Sequence, residues 1–198
     1  MTKAKSLCVY CGSRTGRQPA FAAAAEKLGR VLAASGIRLI YGGGGIGLMG
    51  ITARATMENG GEVVGIVPGF LRKLEVQQEG LTQLIVTETM HERKWLMYDM
   101  ADAFAVLPGG IGTLEELTEL LSWRHLRVHE KPIVLINLDH YWDPLLDLFE
   151  HAMTEEFAAQ SLRAEYAVVD RVEDVLTAAK LVPAPALAHS TAPSSHVI

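Results

Sequence analysis

Short apolar runs alternate with segments of helical periodicity along most of the chain. Each run has the length of a buried strand and is bounded by glycine, proline or polar residues. The predicted strands cover residues 7–11, 37–41, 62–67, 83–86, 103–107, 133–136 and 167–169. The segments between them predict helices over roughly 18–35, 47–59, 89–101, 113–126, 142–156 and 171–181. This alternation predicts an α/β fold of three layers, in which helices flank a mainly parallel sheet.

Length and composition limit the number of domains. With 198 residues, of which 49% are hydrophobic, the chain can form one sizeable core. We therefore expect a single Rossmann-like domain over residues 1–182. The remaining stretch, 183–198, is rich in Pro, Ala and Ser and has no period, so we expect a disordered tail.

Charge and the N-terminal sequence indicate the class of partner. A net charge of −5, without a run of Lys or Arg, favours a small ligand over a nucleic acid. The apolar stretch that follows Ser6 is too short for a signal-peptide core or a membrane span. We expect a cytoplasmic protein with no membrane partner.

The two cysteines, Cys8 and Cys11, form a C-x-x-C motif. One interpretation is a redox pair or half of a metal site. A zinc site would need a second Cys pair or a nearby His, and a thioredoxin-like motif would open a helix instead of ending a strand. Buried structural cysteines, with no bound metal, are the favoured interpretation.

The first glycine-rich turn, YGGGGIGLMG at residues 41–50, contains G-x-G-x-x-G twice. Such a turn lets backbone amides approach a phosphate. An NAD site would also need an acidic residue at the end of the next strand, which here ends at Val67-Pro68-Gly69, so the sequence argues against NAD. Close packing of a helix on a strand, without a ligand, is the alternative explanation of these glycines.

The second turn lies in DAFAVLPGGIGTLEELTELL, residues 102–121. Pro108 ends an apolar strand, a glycine-rich loop follows, and the pattern predicts that a helix begins at Thr113. Unpaired amides and the positive end of the helix dipole favour a phosphate at this point. Thr113 and Glu116 could instead form a capping box with Thr113 as N-cap. Glu116 borders the core-facing leucines of the helix, which makes it a candidate functional residue.

The helix that follows Thr89 carries cations in an unexpected place. Arg93 and Lys94 fall within the apolar arc of this helix, which is defined by Met90, Met97, Met100 and Ala101. Because an unpaired buried charge is unfavourable, both cations need an anionic partner, either in a structural ion pair or in a ligand. A guanidinium beside a phosphate loop is well suited to phosphate recognition.

These motifs together resemble those of the Lonely guy family of cytokinin riboside 5′-monophosphate phosphoribohydrolases, whose members are often labelled possible lysine decarboxylases. The motif P-G-G-x-G-T-x-x-E matches residues 108–116, and M-x-x-R-K matches residues 90–94. The likeness covers roughly residues 6–150. Family members typically have serine where Arg14 and Gly45 stand.

The resemblance implies that a homodimer hydrolyses the N-glycosidic bond of N6-modified adenosine 5′-monophosphates to free base and ribose 5-phosphate, without a metal or organic cofactor. AMP is a further candidate substrate. The catalytic pair of the family falls on Arg93 and Glu116. The residues expected to bind substrate are Ser13, Gly43, Gly44, Glu75, Met90, Lys94, Gly109, Gly110, Ile111, Gly112, Thr113, Leu114 and Glu115.

Two other functions fit part of the sequence. A lysine decarboxylase would need a Schiff-base lysine for pyridoxal phosphate, for which Lys94 is the candidate with an unusual position. A non-catalytic carrier of a nucleotide-bearing cofactor, such as the molybdenum cofactor, would need the phosphate loop, which is the glycine-rich loop at residues 109–112. A carrier has no use for Arg93 and Glu116 together, so the hydrolase is favoured.

Overall fold

The computed structural model of the chain describes residues 5–71 and 78–182. Its seven strands are β1 (Ser6–Tyr10), β2 (Arg38–Tyr41), β3 (Val63–Pro68), β4 (Gln83–Thr87), β5 (Ala103–Val106), β6 (Ile133–Ile136) and β7 (Ala167–Val169). Its helices are α1 (Pro19–Ala34), α2 (Gly47–Glu58), α3 (Met90–Met100), α4 (Ile111–His125), α5 (Asp143–Thr154) and α6 (Val175–Ala178). The predicted order of elements is confirmed.

All seven strands join one parallel sheet in the order β4-β3-β2-β1-β5-β6-β7. The chain moves outward from β1 to β4 and then returns to the other side of β1. The register there pairs Leu7 with Ala103 and Tyr10 with Val106. This reversal between β1 and β5 opens a crevice at the carboxyl ends of the two strands, where α/β proteins bind ligands.

Alternate strand residues enter two cores on opposite faces of the sheet, which gives the fold its three layers. One core joins Val9 to Leu28 of α1 and to Leu48 of α2. The other joins Phe104 to Met97 of α3 and Leu117 of α4. Because helices cover both faces of the sheet, the inner strands β3, β5 and β6 are buried along their whole length, and they appear as continuous hydrophobic runs in the sequence.

Two predicted helix boundaries are wrong. Helix α4 begins at Ile111 with Gly110 as its N-cap, two residues before the predicted start at Thr113. The predicted helix over 171–181 is a 3-10 turn, Val172–Asp174, followed by the single turn α6. No helix within 5–71 and 78–182 is long and apolar enough to cross a membrane. The predicted tail at 183–198 lies outside the described residues.

Candidate active site

A cavity of about 580 Å³ lies at the reversal between β1 and β5. Its walls come from the loop after β1, the first turns of α1 and α2, the turn after β3, helix α3, the loop between β5 and α4, the first turns of α4, and the turn before α5. The described lining residues are Cys11, Gly12, Ser13, Arg14, Thr15, Gly16, Phe21, Leu48, Met49, Leu71, Met90, Arg93, Pro108, Gly109, Gly110, Ile111, Gly112, Thr113, Glu115, Glu116 and Tyr141. The structure therefore brings the two family motifs to one cavity.

The N-terminus of α4 opens into this cavity. The first bond of the helical ladder runs from the amide of Leu114 to the carbonyl of Gly110, at 3.0 Å. The amides of Ile111, Gly112 and Thr113 precede this bond, and amides at such positions have no partner within their own helix. Donors of this kind, together with the helix dipole, form an anion site.

The glycines of this loop differ in what surrounds them. A Cβ on Gly109 would lie 2.1 Å from Oγ1 of Thr113, so packing requires glycine there. A Cβ on Gly110 or Gly112 would meet no described atom within 4 Å. Protein packing thus explains Gly109, whereas the other two glycines leave room for a ligand beside the backbone.

The capping-box interpretation of Thr113 and Glu116 is wrong. Thr113 lies inside the first turn of α4, the N-cap is Gly110, and no side chain caps this helix. A side-chain cap that resembles a capping box does form elsewhere, at the start of α3, whose N-cap is Thr89. There, the hydroxyl of Thr89 accepts from the amide of Glu92 at 3.1 Å, and the Glu92 carboxylate accepts from the amide of Glu88 at 2.9 Å.

Glu116 pairs instead with Arg93 of α3. Nη1 of Arg93 lies 3.0 Å from Oε1 of Glu116, and the two side chains are 7% and 10% exposed. Nε of Arg93 also donates to the carbonyl of Ile66 in β3, at 3.2 Å. A Cβ on Gly42 would lie only 2.2 Å from Nη2 of Arg93. The glycine in the turn after β2 therefore leaves the space that the guanidinium occupies.

Lys94 faces away from this pair. Its ammonium lies 2.5 Å from a carboxylate oxygen of Glu115 and 3.0 Å from one of Glu119. Burial alone would lower the pKa of Lys94, but the hydrogen bonds to the two carboxylates raise it above its usual value. Lys94 thus joins α3 to α4 in a structural ion pair and is not among the described lining residues of the cavity.

The first glycine-rich turn is explained largely by packing. The amide of Leu48 in the first turn of α2 donates to the carbonyl of Gly12 at 3.0 Å, so protein occupies this helix start. A Cβ on Gly47 would lie 2.2 Å from the backbone of Ser13, and one on Gly50 would lie 2.1 Å from that of Gly45. The phosphate interpretation therefore fits α4 better than α2.

Not every predicted contact reaches the cavity. Gly43 and Gly44 are buried, Leu114 is half-buried, and none of them is among the described lining residues. Glu75 lies outside the described residues. These four, like Lys94, stay predictions as substrate contacts. Ser13, Met90, Glu115 and residues 109–113 do line the cavity.

The cysteines lie on opposite sides of the sheet. Cys8 belongs to the core beside α3 and α4, whereas Cys11 belongs to the core beside α1 and α2. Burial raises the pKa of both thiols well above its usual value. Within 5–71 and 78–182, no cluster of His, Cys, Asp and Glu could hold a metal ion.

Sequence reasoning missed three lining residues that have distinctive contacts or charge. The rings of Phe21 and Tyr141 meet edge to face with centroids 5.5 Å apart. Arg14 was noted only as a departure from the family serine. Arg93 and Glu116 pair with each other and Glu115 pairs with Lys94, so Arg14 is the described cavity charge without an ion pair to another described residue.

Comparison with known proteins places the chain in a family. The family model described as possible lysine decarboxylase matches residues 49–179. A cytokinin riboside 5′-monophosphate phosphoribohydrolase of Rhodococcoides fascians is 45% identical over 175 residues, which is 88% of this chain and 88% of the relative. The chain belongs to this family. A relative with the same enzyme name, from Arabidopsis thaliana, is 42% identical over 159 residues, or 80% of this chain and 73% of the relative.

Solved structures share the fold at greater distance. The molybdenum cofactor binding protein of Rippkaea orientalis has a TM-score of 0.68 at 20% identity, covering 91% of this chain and 98% of its own. A molybdenum cofactor carrier protein of Chlamydomonas reinhardtii also has a TM-score of 0.68 at 20% identity, covering 90% and 97%. At this identity the likeness confirms the predicted Rossmann-like fold and carries no function across.

Proposed function

We propose that this member of the possible lysine decarboxylase family hydrolyses the N-glycosidic bond of cytokinin riboside 5′-monophosphates, releasing the free base and ribose 5-phosphate. The observation that carries the proposal is the buried ion pair of Arg93 and Glu116 beside the open start of α4. The names of relatives at 42–45% identity support the same activity. AMP is a second candidate substrate, because the phosphate and ribose groups are the same.

The 5′-phosphate would bind at the start of α4. The amides of Ile111, Gly112 and Thr113 and the helix dipole meet the anion, and the glycines allow close approach. Arg14 adds a positive charge to the same cavity. Binding energy gained at the phosphate, away from the reacting bond, positions C1′ of the ribose against the catalytic pair.

The chemistry would take place at Glu116. Cleavage of the bond between C1′ and the base develops positive charge on the sugar, which a carboxylate stabilises. The water hydroxyl adds to C1′ and the remaining proton goes to the departing base. Arg93 would hold the carboxylate in place through the 3.0 Å contact, and its guanidinium can also contact the oxygens of the substrate.

A pyridoxal phosphate decarboxylase fits the site less well. A Schiff-base lysine must present an unprotonated amine to the cofactor. The ammonium of Lys94 lies between Glu115 and Glu119, which raise its pKa above the usual value and so favour the charged form. Adding pyridoxal phosphate should produce no Schiff-base absorbance.

The non-catalytic carrier is the remaining alternative, and product formation distinguishes it from the hydrolase. We expect N6-isopentenyl-AMP incubated with the purified protein to yield free N6-isopentenyladenine, which chromatography detects. AMP is incubated in parallel as the second candidate substrate. Nucleotide that binds but is recovered intact would favour a carrier over the hydrolase.

We also propose a cytoplasmic homodimer. The exposed apolar side chains Leu126 and Val128, which directly follow α4, support a surface that a second copy covers. Light scattering coupled to gel filtration should give twice the chain mass of 21.5 kDa. A monomer at micromolar concentration would contradict the dimer.

A further inference from the structure

The turn between β6 and α5 places an aromatic side chain at the cavity through an unusual backbone. Asp139 and His140 both have positive φ, at 47° and 60°, which is uncommon for residues other than glycine. Such conformations persist where the surroundings determine them. Here the Asn137 side chain holds the turn, because Oδ1 accepts from the amide of Trp142 and Nδ2 donates to Asp143, both at 2.7 Å.

The residue that this turn presents is Tyr141. Its hydroxyl donates to the carbonyl oxygen of Gly109, 32 positions earlier in the chain, at 2.5 Å. Its ring meets Phe21 edge to face with centroids 5.5 Å apart. Tyr141 is 38% exposed and lines the cavity. Packing in the core therefore does not explain why a tyrosine stands at this position.

The accepting carbonyl belongs to the peptide that links Gly109 to Gly110. In a planar trans peptide the C=O and the following N–H point in opposite directions, so fixing the oxygen also fixes the Gly110 amide. Glycine on both sides makes this peptide easier to rotate than any other kind. Gly110 is the N-cap of α4, and the orientation of this peptide therefore sets the start of the phosphate loop.

We propose that Tyr141 is a positioning residue that orients the Gly109–Gly110 peptide for recognition of the substrate 5′-phosphate. This inference rests on the proposed function for its substrate and goes beyond it in naming the group that shapes the loop. Tyr141 acts through the loop and performs no chemistry. Its hydroxyl therefore affects binding of phosphate-bearing ligands more than cleavage of the glycosidic bond.

The test is Tyr141→Phe, which removes the hydroxyl and keeps the ring against Phe21. A neutral hydrogen bond contributes about 1 kcal/mol, so we expect the KM for N6-isopentenyl-AMP to rise about 3- to 10-fold with kcat nearly unchanged. Tyr166→Phe is the matched control, because Tyr166 packs on Phe149 and is not among the described lining residues. A fall in kcat alone, or kinetics identical to the wild type, would overturn the proposal.

Calorimetry separates this inference from the proposed function. Ribose 5-phosphate should bind Tyr141→Phe about 3- to 10-fold more weakly than the wild type, whereas adenine, which has no phosphate, should bind both equally. Equal weakening of both ligands would indicate general damage to the cavity and would overturn the role. If the wild type releases no base, the hydrolase fails, and this pair of titrations still decides whether Tyr141 orients the phosphate loop.

Discussion

Nη1 of Arg93 and Oε1 of Glu116 lie 3.0 Å apart, and the two side chains are only 7% and 10% exposed. A buried ion pair contributes little net stability, because desolvation offsets much of the attraction between the charges. Its place on the wall of a cavity, beside an open helix start, indicates a functional reason for keeping two charges there.

Unfolding measurements should show that removal of one charge of this pair lowers stability more than removal of both charges. Arg93→Met leaves the Glu116 carboxylate buried without its cation, and we expect a loss of about 3–5 kcal/mol in the free energy of unfolding. The double variant Arg93→Met with Glu116→Met removes both charges and should regain most of that loss while remaining inactive. Urea denaturation of the single and double variants measures the difference. A double variant no more stable than Arg93→Met would contradict this view of the pair.

Substitution by alanine should lower stability at Gly109 and leave it nearly unchanged at Gly112. Gly109→Ala would force a Cβ to within 2.1 Å of the Thr113 hydroxyl, so we expect loss of stability and disturbance of the loop. The new Cβ of Gly112→Ala would meet no described atom within 4 Å. Because this position lies in the first turn of α4, we expect the free energy of unfolding to change by no more than about 1 kcal/mol.

The binding of AMP to Gly112→Ala then reports on the ligand. We expect it to weaken, because the added methyl group stands beside the amides that would meet the phosphate. Calorimetry with AMP, together with thermal unfolding, checks both outcomes. Unchanged AMP affinity in a stable Gly112→Ala variant would argue against a phosphate at this helix start.

Arg14 should contribute to the affinity for the nucleotide. It is the described cavity charge without a described ion-pair partner, and a phosphate monoester carries about −1.5 to −2 charges at neutral pH. We expect Arg14→Ser to raise the KM by about 3- to 10-fold, with a smaller difference at high salt, because salt screens exposed charges. Arg17→Ser is the control, since Arg17 lies in the same loop and is not among the described lining residues. Equal effects of the two substitutions would reduce the role of Arg14 to the general charge of the loop.

The two cysteines should resist alkylation in the folded protein. The thiolate is the reactive form, and burial raises the pKa of Cys8 and Cys11 well above the usual value, so little thiolate exists at pH 8. Iodoacetamide followed by mass spectrometry should find both thiols unmodified until denaturant is added. Rapid labelling of native protein at Cys11, which lines the cavity, would reopen the possibility of thiol chemistry there.

The fold was predictable because the central strands β1, β2, β3, β5 and β6 are almost fully buried on both faces and therefore form apolar runs. The start of α4 was misplaced for a local reason. Ile111 is 84% exposed and stands between glycines, so the first turn has no amphipathic pattern. Arg93 was recognisable as a cation on an apolar helix face. The partner of Tyr141 was not predictable, since it is a backbone carbonyl 32 positions away and no side-chain pattern marks it.

Glu116→Gln tests the central claim most directly. The amide keeps the size of the side chain and removes the negative charge that would stabilise the sugar cation, so we expect release of N6-isopentenyladenine from its 5′-monophosphate to fall about 10²- to 10³-fold, with the fold retained. Glu119→Gln, a change on the same helix outside the described cavity lining, should keep near wild-type turnover. Near wild-type base release by Glu116→Gln would contradict the account.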